Sequence, residues 1–200
     1  MNQNRQLLET IKVKDGRFLN LPAHLERMRQ SAQELHGDWA GLELAPEDIP
    51  ADLRTGVVKC RIVYDTCVRE ISFQPYQPRT VRSLRLVQAA PELDYHLKYA
   101  DRSPLMRLLE QRQACDDILI VRDGFITDTS YSNIAFDDGT ALYLPRTCLL
   151  NGCKRRLLIA SGRAREISIT PADLRNFQTA HLVNAMLDPG EVTVDVGCIF

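Results

Sequence analysis

No apolar run in this 200-residue chain approaches the roughly 20 residues needed to span a bilayer, and Met1–Gln6 is not followed by the apolar core of a signal peptide. These absences predict a soluble, cytoplasmic protein with no membrane partner. An excess of either charge is also missing: 25 Lys and Arg face 26 Asp and Glu, a formal net charge of −1, with the charges scattered. That balance argues against nucleic acid or an anionic membrane as the main partner. The six cysteines (Cys60, Cys67, Cys115, Cys148, Cys153 and Cys198) form no C-x-x-C pair and have no histidines at ligand spacing, so no metal site is expected. Nor is a disulfide framework, because a chain of this size needs no staples and nothing signals export. There is no P-loop and no G-x-G-x-x-G fingerprint, and Ser130 lacks the G-x-S-x-G setting. Nucleotide binding and serine hydrolysis are thereby set aside.

What is present is a composition able to bury a core, with 44% hydrophobic and 26% charged residues. The first 75 residues read as α+β. Leu7–Val13 is a strand, Asp15-Gly16 a hairpin turn, and Phe18–Leu21 a short return strand. Pro22 opens a helix in which Leu21, Leu25, Met28, Ala32 and Leu35 recur at helical spacing, and Gly37 ends it. Val57–Tyr64 and Cys67–Phe73 are strands around a turn at Asp65-Thr66, and Gln74–Arg79, with two prolines, is the linker. Beyond it the pattern predicts a strand at Leu84–Val87, a helix from Pro104 reaching Cys115, hairpins around Asp123-Gly124 and Asp138-Gly139, and a helix from Gly152. Late strands are expected at Ile167–Ile169, His181–Ala185 and Val192–Ile199. The expected organisation is a small N-terminal α+β lobe, 1–78, and a larger C-terminal lobe, 79–200. Two lobes joined by a linker leave a cleft, a common place for a small-molecule site.

Lysine is used sparingly: five lysines stand against twenty arginines. Lys12 and Lys14 flank the Asp15-Gly16 turn and read as solvated, and Lys59 lies in a strand pattern. Lys154, with Arg155 and Arg156 at a helix start, is either a solvated face or an anion site at a helix N-terminus. Lys98, in a polar segment just ahead of a helix, is either a surface or salt-bridged lysine or a catalytic amine. The histidines His24, His36, His96 and His181 are too far apart in sequence to suggest a metal trio.

Taken in order, several segments resemble the fold-type IV pyridoxal-phosphate enzymes, the class IV aminotransferase family that includes branched-chain and D-amino-acid aminotransferases and aminodeoxychorismate lyase. Leu8-Glu9-Thr10, Asp15-Gly16 and His24-Leu25-Glu26-Arg27 resemble the opening "FET…DG…HLxRL". Lys98-Tyr99-Ala100-Asp101-Arg102 is similar to the catalytic-lysine segment, in a form near the lyase "KxxNR". Asp116–Leu119 with Gly124, Ile126, Thr127, Asp128, Ser132, Asn133 and Ile134 resembles "DExLxLDxxGxVxExxxxNIF". Leu149–Arg155 looks like the "LLPGITR" phosphate turn, and Val183-Asn184-Ala185 like a late strand end near the cofactor. The departures are a glycine-rich segment without a counterpart ahead of "FET", a short loop after Tyr64, aspartate for glutamate at Asp128, Asn151 for proline, and Cys153-Lys154 for isoleucine–threonine.

The resemblance implies a two-lobed α+β fold with pyridoxal 5'-phosphate in the inter-lobe cleft. It implies an aminotransferase working through a Schiff base on Lys98, acting on an amino acid or related amine. The alternatives are an aminodeoxychorismate lyase, which eliminates pyruvate to give 4-aminobenzoate, and a degenerate paralogue that binds ligand without catalysis. By the same carry-over, Arg27, Gly152, Cys153 and Lys154 are phosphate-side residues, Asp128 serves the pyridine nitrogen, and Asn133, Leu150 and Asn184 complete the cofactor site. Even with the resemblance, a turn-capping aspartate is the alternative reading of Asp128; without it, Arg27 reads as a solvated residue on the polar face of its helix. Arg61 and Arg102 are the two candidates for the substrate carboxylate, and a homodimer is implied by analogy.

Overall fold

The computed structural model describes residues 5–200, which separate into two compact units: one runs to Gln77 and includes Leu97–Asp101, and the other holds Pro78–His96 and Arg102–Phe200. Helices and mixed sheets give the α+β class that the sequence predicts.

In the first unit, β1 (Leu7–Lys14), β2 (Arg17–Phe18), β3 (Val57–Tyr64) and β4 (Val68–Pro75) form an antiparallel sheet in the order β2-β1-β3-β4. Asp15 and Gly16 turn the β1–β2 hairpin with φ of 48° and 73°, the mirror-image turn that suits the twist of paired strands. Pro75 is tolerated because β4 is an edge strand. Helix α1 (Leu21–His36) has proline in its first turn and ends on Gly37, whose φ of 78° closes the cap. Of the stripe that periodicity suggests, Met28 and Ala32 are buried and Leu21, Leu25 and Leu35 half-buried, while the polar His24, Arg27 and Ser31 are buried beside them. The cause lies on β1, where the inward positions Leu7, Glu9, Ile11 and Val13 include a carboxylate that draws its partners from the helix.

The segment 97–101 extends the same sheet. Leu8 N–H donates to Lys98 O at 2.8 Å and Ala100 N–H to Gln6 O at 2.9 Å, with Leu7 and Tyr99 forming an antiparallel bridge. Lys98 is thus held by its backbone against the first turn-in of β1.

The second unit carries β5 (Leu84–Gln88), α2 (Ser103–Leu109), β6 (Asp117–Arg122), β7 (Phe125–Thr129), β8 (Asn133–Asp137), β9 (Leu142–Pro145), α3 (Cys153–Ala160), β10 (Ala164–Ile167), β11 (Thr179–Val183) and β12 (Thr193–Asp195). Its eight-stranded sheet runs β10-β9-β8-β7-β6-β5, with β11 paired to β8 and β12. The pairs β5–β6 and β9–β10 are parallel, each joined through a helix, as parallel strands require. Leu158 of α3 packs on Ala135, Leu144, Ala164 and Val183.

Several element boundaries depart from the sequence expectation: the return strand is Arg17–Phe18, with Leu21 already in α1, β4 runs into the expected linker to Pro75, and β11 lies at Thr179–Val183. The helix at Pro104 stops at Leu109 and tightens into a 3-10 turn, Glu110–Arg112, before Gln113 adopts φ 55°. The strand expected at 167–169 lies at Ala164–Ile167, because Pro171 opens a turn at Thr170. The long C-terminal strand breaks after Asp195, whose carboxylate accepts Gly197 N–H at 2.7 Å and bends the chain.

Phe136 is fully buried, with its ring centroid 5.3 Å from that of Phe177, whereas Met106 is 46% exposed. Truncating Phe136 to alanine is expected to cost about 3–5 kcal/mol in denaturant unfolding, and Met106→Ala less than about 0.5 kcal/mol. Comparable losses from both would contradict this placement of the core.

Candidate functional site

The first unit buries a carboxylate with two basic partners. Arg27 Nε donates to Glu9 Oε2 at 2.9 Å and Arg27 Nη2 to Oε1 at 2.5 Å; His24 Nδ1 lies 3.0 Å from the same Oε1. Glu9 is 0% exposed and Thr10 N–H also donates to it at 2.9 Å. Burial alone would push this carboxyl up; the Arg27 charge and the His24 contact overcome it and hold Glu9 far below the usual carboxylate range. Arg27, expected on the phosphate side, is therefore a fixed guanidinium with two of its faces set by Glu9. Glu9 and His24 receive no role from the motif alone. An acidic residue at an inward position of an otherwise apolar strand is nevertheless a signal that a buried cation must answer it. Lys98 and Arg61 also lie in this unit. Lys98 is half-buried, and Arg61 reaches Glu70 across the β3–β4 pair at 3.4 Å, both side chains being exposed to solvent.

The second unit gathers most of the other candidates at one end of its sheet. Asp128 ends β7 directly opposite Asn133, which begins β8. Asp128 accepts Asn133 Nδ2 at 2.7 Å on Oδ1, and the backbone N–H groups of Leu149 and Leu150 at 2.7 and 3.0 Å on Oδ2. Asn133 Nδ2 also donates to Leu150 O at 2.8 Å, so one amide ties both strand ends to the loop ahead of α3. A Cβ on Gly152 would collide with Asn133 Oδ1, which explains why the chain has glycine there. Burial pushes the Asp128 carboxyl up to about 6, against the opposing pull of the Leu150, Asn133 and Leu149 donors and the Arg155 charge.

Gly152 precedes α3, which starts at Cys153 with no side-chain cap and no acidic residue in its first turn. Such an end leaves backbone donors and a positive dipole available to an anion. Arg155, which the sequence presents only as part of a basic cluster, is 4% exposed and built into the unit. It donates to Asn151 Oδ1 at 3.0 Å and to Pro145 O at 3.1 Å, and pairs with Glu166. Lys154 pairs with Asp188 at 2.5 Å. Cys153 is buried, 3.3 Å from Arg156 Nη2. Arg102 and Asn184 meet the same turn: Arg102 donates to Ser130 O at 2.8 Å, and Asn184 Nδ2 lies 3.5 Å from Tyr131 O while its Oδ1 accepts Met186 N–H at 2.8 Å. Among the described residues no group of His, Cys, Asp and Glu could hold a metal ion.

Compared with known proteins, residues 6–193 match the amino-transferase class IV family. An uncharacterized protein of Haemophilus influenzae is 33% identical over 183 residues, covering 90% of this chain and 97% of its own. A solved structure from Haemophilus somnus, provisionally assigned as a 4-amino-4-deoxychorismate lyase, is 30% identical with a TM-score of 0.79, covering 92% of this chain and 97% of that one. A Mesorhizobium loti structure provisionally assigned as an amino-acid aminotransferase shares the fold at 24% identity and TM-score 0.76, covering 98% and 100%.

Replacing Glu9 with alanine strands the Arg27 charge, and the expected loss is about 3–5 kcal/mol at pH 7 in denaturant unfolding. Because the folded carboxyl lies below its unfolded value of 4.5, its contribution is complete above that pH and is lost as the pH falls further. The gap between wild type and variant should narrow steadily below pH 4.5. A gap that persists unchanged at pH 3 would contradict the pairing.

Proposed function

The chain belongs to the class IV aminotransferase family, and on that premise we propose that it is a pyridoxal-phosphate-dependent enzyme acting on the amino group of an amino acid or related amine through Lys98. The observation that carries this reading is the junction of Asp128, Asn133 and Leu150 beside the uncapped start of α3. Its donor and acceptor set fits the cofactor. A carboxylate offers about four acceptor sites, and Asp128 uses three, leaving one on Oδ1 for a protonated ring nitrogen. The first N–H groups of α3 suit a phosphate, and Arg27 is the charged donor assigned to the same group.

When bound, pyridoxal phosphate supplies an electron sink for bonds at the substrate's α-carbon. The chain's residues do the rest. Lys98 Nζ would be the amine that holds the cofactor and, once displaced by the substrate amine, would take and return the proton at the α-carbon. Asp128, ionised above its value of about 6, holds positive charge at the ring nitrogen. Arg61 or Arg102 pairs with the substrate carboxylate. Among the described residues no helix is long and apolar enough to cross a membrane, and a cytoplasmic homodimer is part of this proposal.

A second reading, aminodeoxychorismate lyase, is favoured by the 30% identity to the Haemophilus somnus protein and by the Asp101-Arg102 pair after Lys98. The two separate in one assay. Loaded enzyme without added keto acid should release one equivalent of keto acid from an amino acid donor if it is an aminotransferase; release of pyruvate from aminodeoxychorismate assigns the lyase. Neither product, together with failure to load the cofactor, leaves the ligand-binding paralogue. Asp128→Asn is expected to lower turnover at least tenfold while changing cofactor affinity less, and equal losses in both would refute its separate role.

A further inference from the structure

Helix α3 carries charge of the sign its dipole disfavours. Its first turn holds Lys154, Arg155 and Arg156 and no acidic residue, although the start of a helix is the positive end of its dipole. Arg155 is fixed there by Asn151, Pro145 O and Glu166. Lys154 is answered from another part of the unit: its Nζ lies 2.5 Å from Asp188 Oδ1. Asp188 follows a turn built on Asn184, whose Oδ1 accepts the N–H groups of Met186 and Leu187 at 2.8 and 3.1 Å. Met186 and Leu187 are buried, and Asp188 N–H donates to Glu191 Oε2 at 2.6 Å. Asn184 also reaches Tyr131 O, in the turn between Asp128 and Asn133. The carboxylate is therefore set in place by its backbone, whereas the ammonium rides on a flexible four-carbon stem. The Asp188 side chain is 42% exposed and that of Lys154 only 11%.

We propose that Asp188 stands in for a phosphate at the start of α3, that Lys154 passes from Asp188 to the phosphate when a phosphate-bearing ligand binds, and that Asp188 thereby sets how tightly such a ligand is held. The proposal rests on the cofactor reading above and deepens it by naming a residue that regulates the same site. A phosphate monoester brings a charge of about −1.5 to −2 and three acceptor oxygens, so it attracts the ammonium more strongly than one carboxylate does. It also meets the backbone donors that the uncapped first turn of α3 leaves available. Asp188, left without Lys154 beside a newly arrived anion, opposes binding. The family pattern set out above has threonine where this chain has Lys154. A hydroxyl needs no counterion, so the acidic partner is called for by the lysine.

Equilibrium titration of the full chain with pyridoxal phosphate, with pyridoxal, which lacks the phosphate, and with inorganic phosphate tests this. Asp188→Asn should tighten binding of pyridoxal phosphate and inorganic phosphate about threefold, the scale of a half-exposed ion pair, and leave pyridoxal unchanged. Lys154→Gln should weaken both phosphate-bearing ligands roughly tenfold, as expected for a lost charge-assisted hydrogen bond. In the double variant the gain from Asp188→Asn should vanish, because no lysine remains to be released. Weaker or unchanged phosphate binding in Asp188→Asn, an equal effect on pyridoxal, or a gain that survives in the double variant would each overturn the proposal. If inorganic phosphate responds in this way but pyridoxal phosphate is not loaded, the role of Asp188 stands and the enzyme reading falls. Loading that is indifferent to Asp188 is the reverse case.

Discussion

The ion pair between Glu9 and Arg27 joins the first unit's helix to its sheet where both groups are nearly sealed from water. A buried carboxylate without donors, or a buried guanidinium without acceptors, costs several kcal/mol, so neither residue tolerates the loss of the other. Satisfying Glu9 dictates which side of α1 turns inward. His24 and Arg27, which lie outside the apolar stripe, are buried beside Met28 and Ala32. The same constraint leaves a guanidinium fixed beside β1, the strand to which the backbone of Lys98 is hydrogen-bonded. The residue proposed for the phosphate side is thus also one that stabilises the unit.

The second unit meets a similar demand differently. Asp128 is buried with no cation hydrogen-bonded to it; one amide side chain and two backbone N–H groups answer it, helped more weakly by the Arg155 charge. Such donors only partly offset burial, which is why its carboxyl rests near 6 while that of Glu9 lies far lower. An acceptor that still has capacity and titrates near neutrality is suited to meeting a protonated ligand nitrogen; a fully paired one is suited to holding structure. The two carboxylates divide those tasks between the units.

Local signals made much of the fold readable. The Asp15-Gly16 turn, Pro22 and Gly37 around α1, and Gly152 at the start of α3 sit where turn and cap chemistry places them. What the sequence does not show comes from contacts distant along the chain. Nothing around Lys98 announces that its backbone pairs with Leu8, 90 residues earlier. The Gly152–Asn133 approach, the burial of Arg155 and the pairing of Lys154 with Asp188 emerge only once the strands are in register. The family resemblance carried the candidate residues, and the geometry adds Glu9, His24 and Arg155 as the groups that hold them.

The claim on which the functional account turns is that Lys98 is the cofactor lysine. Incubating the protein with pyridoxal phosphate, reducing with borohydride and mapping the peptides should place one pyridoxyl group on Lys98, with none in Lys98→Ala. A label on Lys59 or Lys154, or no label on any lysine, would contradict it.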